Sequence, residues 1–190
     1  LVFFMSITFF GCAALLGTEN GLEGGNVAVI PVHGVISLQD SSQFSRGFDA
    51  RFIKESLREA EEDPAIKAIL IDINSPGGSA VASDELGQFI KASNKPTVAW
   101  IREVGASGGY WIASSADHII ANRMSITGSI GVVGSYLDFS GLLEDYNVTY
   151  QRLVSGPYKD AGSPFKPLRA DEREMIQGKI DLIHDFFVQE

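Results

Sequence analysis

Cysteine is nearly absent from this chain. Cys12 is alone among 190 residues, so no internal disulfide is possible, and that count fits any compartment. Basic residues are also few. Fifteen Lys and Arg face 24 Asp and Glu, for a net charge of −9. Phosphate recognition needs a basic stripe, so nucleic acid is excluded as the main partner. No block of five like charges occurs, which excludes a charged tail. No internal repeat is present. Histidine is scarce, and His33, His118 and His184 each lack a motif context. What remains is ordinary: 45% hydrophobic and 21% charged residues, enough for one domain with a substantial core.

The first sixteen residues, LVFFMSITFFGCAALL, carry no charge. As a helix they would span about 24 Å, short of a bilayer core of about 30 Å. The chain starts at Leu1 rather than Met, so residues 1–17 read as a membrane anchor or signal segment trimmed at its N-terminus. A buried core helix fits poorly, given two Phe-Phe pairs and no polar face. A lipoprotein signal processed at Gly11-Cys12 fits poorly as well, because Phe9 and Phe10 suit such a site badly. Residues 18–25 are polar and Gly-rich and read as a linker. Residues 26–190 read as one domain, cut short after its last helix.

Within that domain, strand and helix patterns alternate. Val27–Val32, Lys67–Ile73, Pro96–Ile101 and His118–Ala121 read as strands, and so do Thr127–Ser135 and Val148–Val154. Asp49–Glu62 reads as a helix capped by Asp49, with Phe52, Ile53, Leu57 and Ala60 on one face. Ser79–Ala92 reads as a helix with Val81, Leu86, Phe89 and Ile90 inward. Further helices are expected near Ser107–Ser115 and Leu137–Tyr146. A last one covers Asp171–Val188, with Met175, Ile176, Ile180, Ile183 and Phe187 in a stripe. Such alternation predicts an α/β domain with parallel strands.

Three segments can carry chemistry. Asn74-Ser75-Pro76-Gly77-Gly78 lies between a buried strand and a helix, where glycines expose backbone N–H groups at a helix N-terminus. Those donors suit a developing oxyanion. Ser107, in Gly105-Ala106-Ser107-Gly108-Gly109, also sits where a strand gives way to a helix. A serine hydroxyl needs a base, and a lysine serves if burial favours its neutral form. Lys159, in Gly156-Pro157-Tyr158-Lys159-Asp160, is the candidate. Taken singly, each segment has a plainer reading: a loop tightened by Pro and Gly, a Gly/Ser turn, and a solvated surface lysine.

Taken together and in order, the segments resemble the signal peptide peptidase A family, the S49 serine peptidases. The resemblance runs from Asn26 to Val188. It includes VIPVHGVI (29–36), NSPGG (74–78), ASGGYWIA (106–113), Ala116-Asp117, TGSIGVVG (127–134) and YKDAGSPF (158–165). It implies a crotonase-like fold of repeated ββα units, shared with the Clp protease subunit. It implies a Ser–Lys dyad with Ser107 as nucleophile and Lys159 as general base. Ser129 would orient the lysine amine, and the Gly78 and Gly108 amides would form the oxyanion hole. No cofactor and no metal are implied. The single copy of the domain resembles the family's short form, in which a homo-oligomeric ring shares each dyad between neighbouring subunits. The implied substrates are residual signal peptides or other apolar peptides. The implied location is a bacterial cell membrane, with a single-pass anchor and an extracytoplasmic catalytic domain. Two other readings remain: an acyl-CoA enzyme of the crotonase type, which usually needs glutamates at the reacting carbon, and a catalytically inactive membrane scaffold.

Overall fold

The computed structural model describes residues 25–38 and 47–190. The apolar segment 1–17, its possible processing site at Cys12 and nearly all of the 18–25 linker lie outside those residues. Among the described residues, no helix is long and apolar enough to cross a membrane.

The centre of the domain is a parallel sheet. Strands β1 (Val27–His33), β4 (Ala68–Ser75), β5 (Thr97–Ala106) and β6 (His118–Ala121) lie side by side in that order. The α/β class with parallel strands is therefore as expected. A short strand, β7 (Ile126–Gly128), pairs with the far end of β5. Strands β2 (Val35–Ser37) and β3 (Gly47–Asp49) form a small second sheet. β1, β4 and β6 are each followed by a short strand or bridge and then a helix, whereas β5 runs through Ser107 directly into a helix. β1 and β2 lead to α1 (Ala50–Glu62), and β6 and β7 lead to α4 (Ser140–Asp145). After β4, Gly78 bridges to Ile36 before α2 (Ala80–Lys91) begins. The ββα repeat expected of a crotonase-like fold is recognisable in these units.

Local chemistry sets the helix starts. Asp49 caps α1 by accepting the Arg51 N–H at 2.9 Å, and Ser79 caps α2 by accepting from Ala82 at 3.3 Å. One face of the sheet packs on α1, α2 and α3 (Gly108–Ser114). Val32, Ile69, Ile71, Ile73, Ala99 and Ile101 are buried there against Leu57, Leu86, Ile90 and Ile112. Each fully buried Leu or Ile stabilises the fold by about 1.5–3 kcal/mol.

Several expectations need correction. Phe52 is 66% exposed and Val81 is 58% exposed. The buried stripe of α1 is Ala50, Ile53, Leu57 and Ala60, which leaves Phe52 one residue off the face. Val81 is likewise off the Ala82–Leu86–Ile90 stripe of α2. The strand expected over 127–135 stops at Gly128, and residues 148–154 form no strand. A strand needs a ladder partner, and β7 uses only the Val104–Ala106 end of β5. The last helix, α5 (Ala170–Gln189), forms as expected, but Met175 is exposed and only Glu172 and Phe187 are fully buried.

Candidate active site

The site forms where β4 and β5 end. After Ile73 and Ile101 the register between these strands slips, and Ser75 next meets Gly105. The extra residues of β5 bulge outward, and Asn74 Oδ1 accepts the Val104 N–H there at 3.2 Å. The bulge carries the end of β5 onto the turn that follows β4.

Ser107 is the residue between β5 and α3. Its backbone lies at φ 51°, ψ −125°, a region that costs a non-glycine residue about 1–3 kcal/mol. The contacts around it hold that conformation. The Ser107 N–H donates to the Gly128 carbonyl at 2.8 Å, and its own carbonyl accepts from Tyr110 and Trp111 at 2.8 and 2.9 Å. The Ser107 side chain makes no capping hydrogen bond.

The NSPGG turn packs directly beneath. A β-carbon on Gly77 (φ 100°) would come within 2.8 Å of Ser107 Cβ and 2.7 Å of the Gly108 nitrogen. Only glycine permits that approach. Ser75 pins the turn: its hydroxyl donates to the Gly34 carbonyl at 2.7 Å and accepts the Gly77 N–H at 3.1 Å. Ile36 takes the flanking groups, donating to Gly77 O at 2.9 Å and accepting from Ser79 N at 2.8 Å. Alternation along an extended segment then directs the Gly78 N–H away from Ile36. A small cavity of about 130 Å³ opens here, lined by Gly78, Ser107, Gly108, Trp111, Val132 and Phe187, among other residues. Trp111 and Phe187 stack at 4.7 Å between ring centroids and close one side.

The structure thus brings Ser107, Gly78 and Gly108 to one cavity. Ser129 follows the Gly128 carbonyl that Ser107 contacts, with φ 54°, and is exposed. Lys159 lies in the turn region 155–161 and is exposed. Neither Lys159 nor Ser129 lines the Ser107 cavity, and no histidine does. The turn carrying Lys159 is braced by ion pairs. Asp160 accepts from Arg152 at 2.6 and 2.9 Å. The Arg152 hydrogen bonds hold its carboxyl down at about 2, with the Lys166 charge adding to the effect. Lys166 also reaches Glu172 of α5 at 2.7 Å. His33, by contrast, pairs with Asp72 at 3.0 Å on the open face of the sheet.

Sequence reasoning placed Ser75 and Gly77 in the turn without their separate roles, and missed the Trp111–Phe187 stack. A Ser two residues before a glycine is an ST-turn signal and marks Ser75. The stack joins residues far apart in the chain and has no local signal.

Residues 90–190 match the model of peptidase family S49, and residues 26–139 match that of the NfeD1b N-terminal domain. A putative protease of Methanocaldococcus jannaschii is 36% identical over 143 residues, covering 74% of this chain and 46% of that protein. A putative signal peptide peptidase SppA of Enterococcus faecium is 35% identical over 175 residues, covering 90% of this chain and 51% of the other. Among solved structures, the 1510-N membrane-bound stomatin-specific protease, in complex with a substrate peptide, aligns with a TM-score of 0.47 at 21% identity. That alignment covers 60% of this chain and 49% of the other. The chain belongs to peptidase family S49. It spans about half the length of these two curated relatives.

Proposed function

We propose that the protein is a membrane-associated serine endopeptidase that works through a Ser–Lys dyad. Neutral Lys159 takes the proton of Ser107 as the hydroxyl attacks a peptide carbonyl. The oxyanion rests on the Gly78 and Gly108 amides, and Ser129 orients the lysine amine. The lysine then protonates the leaving amine, and water resolves the acyl-enzyme. Residual signal peptides or other apolar peptides are the substrates. The anchor in residues 1–17 holds the enzyme at a bacterial cell membrane, beside those substrates and with the domain outside the cytoplasm.

The observation that carries this reading is Ser107 itself. It is a non-glycine residue at φ 51° on a strand-to-helix turn, with a glycine turn pressed against it. Strain of this kind is retained where surrounding contacts impose it, and active sites are the usual places. Membership of family S49 agrees with it. The exposure of Lys159 and its place outside the cavity fit a dyad completed by a neighbouring subunit of a homo-oligomeric ring. The crotonase-type acyl-CoA reading is not favoured, because neither matching family model is of that type.

Peptide hydrolysis by the full-length protein tests the assignment. Ser107→Ala and Lys159→Ala each abolish turnover while circular dichroism and oligomer size stay unchanged. A chelator has no effect. Substantial cleavage by purified Lys159→Ala protein would remove the lysine from the mechanism.

A further inference from the structure

Ser75 ends β4 and is fully buried, and its hydroxyl is used in both senses. The O–H donates to the Gly34 carbonyl at 2.7 Å, and the oxygen accepts the Gly77 N–H at 3.1 Å. Gly34 is the joint between β1 and β2, and its own N–H donates to the Asn74 carbonyl at 2.9 Å. One side chain therefore ties the β1–β2 joint to the glycine turn after β4.

The peptide unit governed by this tie joins Gly77 to Gly78. In a trans peptide the C=O and N–H point in opposite directions. Gly77 O accepts from the Ile36 N–H at 2.9 Å, so the Gly78 N–H points away from Ile36, and Gly78 lines the Ser107 cavity. Two consecutive glycines lack the β-carbons that restrict other residues, so this peptide turns over more readily than its neighbours. Turned over, it would offer a carbonyl oxygen where a donor is needed, and a developing oxyanion would be repelled. Two anchors oppose that rotation. Ser75 holds the Gly77 N–H directly. It also fixes Gly34, two residues before Ile36, whose N–H holds the Gly77 carbonyl. Buried polar groups are costly to leave unpaired, so each anchor resists release.

We infer that Ser75 is a positioning residue for peptide hydrolysis: its hydroxyl keeps the Gly77–Gly78 peptide turned so that the Gly78 N–H faces the oxyanion. Ser75 touches no substrate and acts through Gly78. This inference rests on the peptidase reading above and adds a residue that sets the competence of the same site.

The test uses the full-length protein, a fluorogenic apolar peptide and the aldehyde of the same acyl sequence. Ser107 Oγ adds to the aldehyde carbon, its proton passes to the base, and the former carbonyl oxygen becomes an oxyanion. The inhibition constant of the aldehyde therefore reads the oxyanion hole and does not depend on how much of the sample is folded. Ser75→Ala lowers kcat about tenfold to hundredfold, less than outright loss of a donor, and leaves KM within about twofold of wild type. The aldehyde constant rises by a similar factor. Ser75→Cys, whose thiol makes weaker hydrogen bonds in the same place, falls between wild type and Ser75→Ala. Leu57→Ala, which takes packing from the α1 core and no group from the turn, lowers stability and leaves the aldehyde constant unchanged. Wild-type kcat in Ser75→Ala would overturn the inference. A lowered kcat with an unchanged aldehyde constant in both Ser75 variants would overturn it too, since Ser75 would then only keep the enzyme folded. A wild type that cleaves no peptide, with Ser107 left unmodified by a fluorophosphonate probe, would instead remove the peptidase reading and this inference with it.

Discussion

Ser107 and the glycines beneath it show how much of the site is backbone geometry. The Ser107 conformation at φ 51°, ψ −125° is one that glycine adopts freely and alanine does not. Ser107→Gly should therefore be more stable than Ser107→Ala by about 1 kcal/mol in urea unfolding, with both inactive. Equal stabilities would mean that the site stores no strain. Gly78 (φ 155°) has less latitude still, since a β-carbon there would lie 2.2 Å from Ile36 O. Gly78→Ala should cost about 2–4 kcal/mol and remove activity, because the Ile36 bridge must open. Asp160 supplies the pH prediction at this scale. Its carboxyl is held down at about 2 by Arg152, against 3.8 in the unfolded chain. The stabilisation it gives is therefore complete above about pH 4 and is lost only as pH falls through about 2. Arg152→Ala should return its titration to the ordinary carboxylate range, as NMR of the Asp160 side chain would report. Short motifs were enough to place Ser107, Gly78 and Gly108 at strand-to-helix turns, where the structure has them. The conformation of Ser107 was not legible, since φ depends on the β5 bulge and on Gly128, about twenty residues downstream.

At the level of elements, the helices that cover the sheet were legible wherever their period was strong. The stripe of α1 and its Asp49 cap follow from spacing and cap chemistry. Phe52 and Val81 were misplaced for one reason: an apolar side chain one residue off the stripe satisfies a loose pattern but lies about 100° from the buried face. The expected strand at 148–154 failed on pairing, which no single segment encodes. Helix α5 is fastened to the body chiefly at its ends. Phe187 stacks on Trp111, and Glu172 takes Lys166 and the Arg169 N–H at its start. Trp111→Ala should cost about 3–5 kcal/mol, as for other large-to-alanine core changes. It should also expose α5 to limited proteolysis near Phe186. A helix as protected as in wild type would show that α5 is held elsewhere.

At the scale of the whole molecule, one face of the parallel sheet is covered by helices, and among the described residues the other is bare. Val29 and Trp100 are 60% and 38% exposed on strands whose opposite face is the core. Parallel sheets are normally covered on both faces, and this one is covered on a single face among the described residues. Lys159 stands exposed and outside the Ser107 cavity. If neighbouring subunits complete each dyad, co-refolding inactive Ser107→Ala with inactive Lys159→Ala should restore cleavage in the mixed oligomer. A dyad within one chain would leave the mixture dead. The most direct test of the central claim is labelling of full-length protein by a fluorophosphonate probe, with the modified residue mapped by mass spectrometry. The account predicts modification of Ser107 in the wild type and none in Ser107→Ala or Lys159→Ala. A folded, oligomeric wild type that stays unlabelled, or Lys159→Ala labelled as fast as wild type, would contradict it.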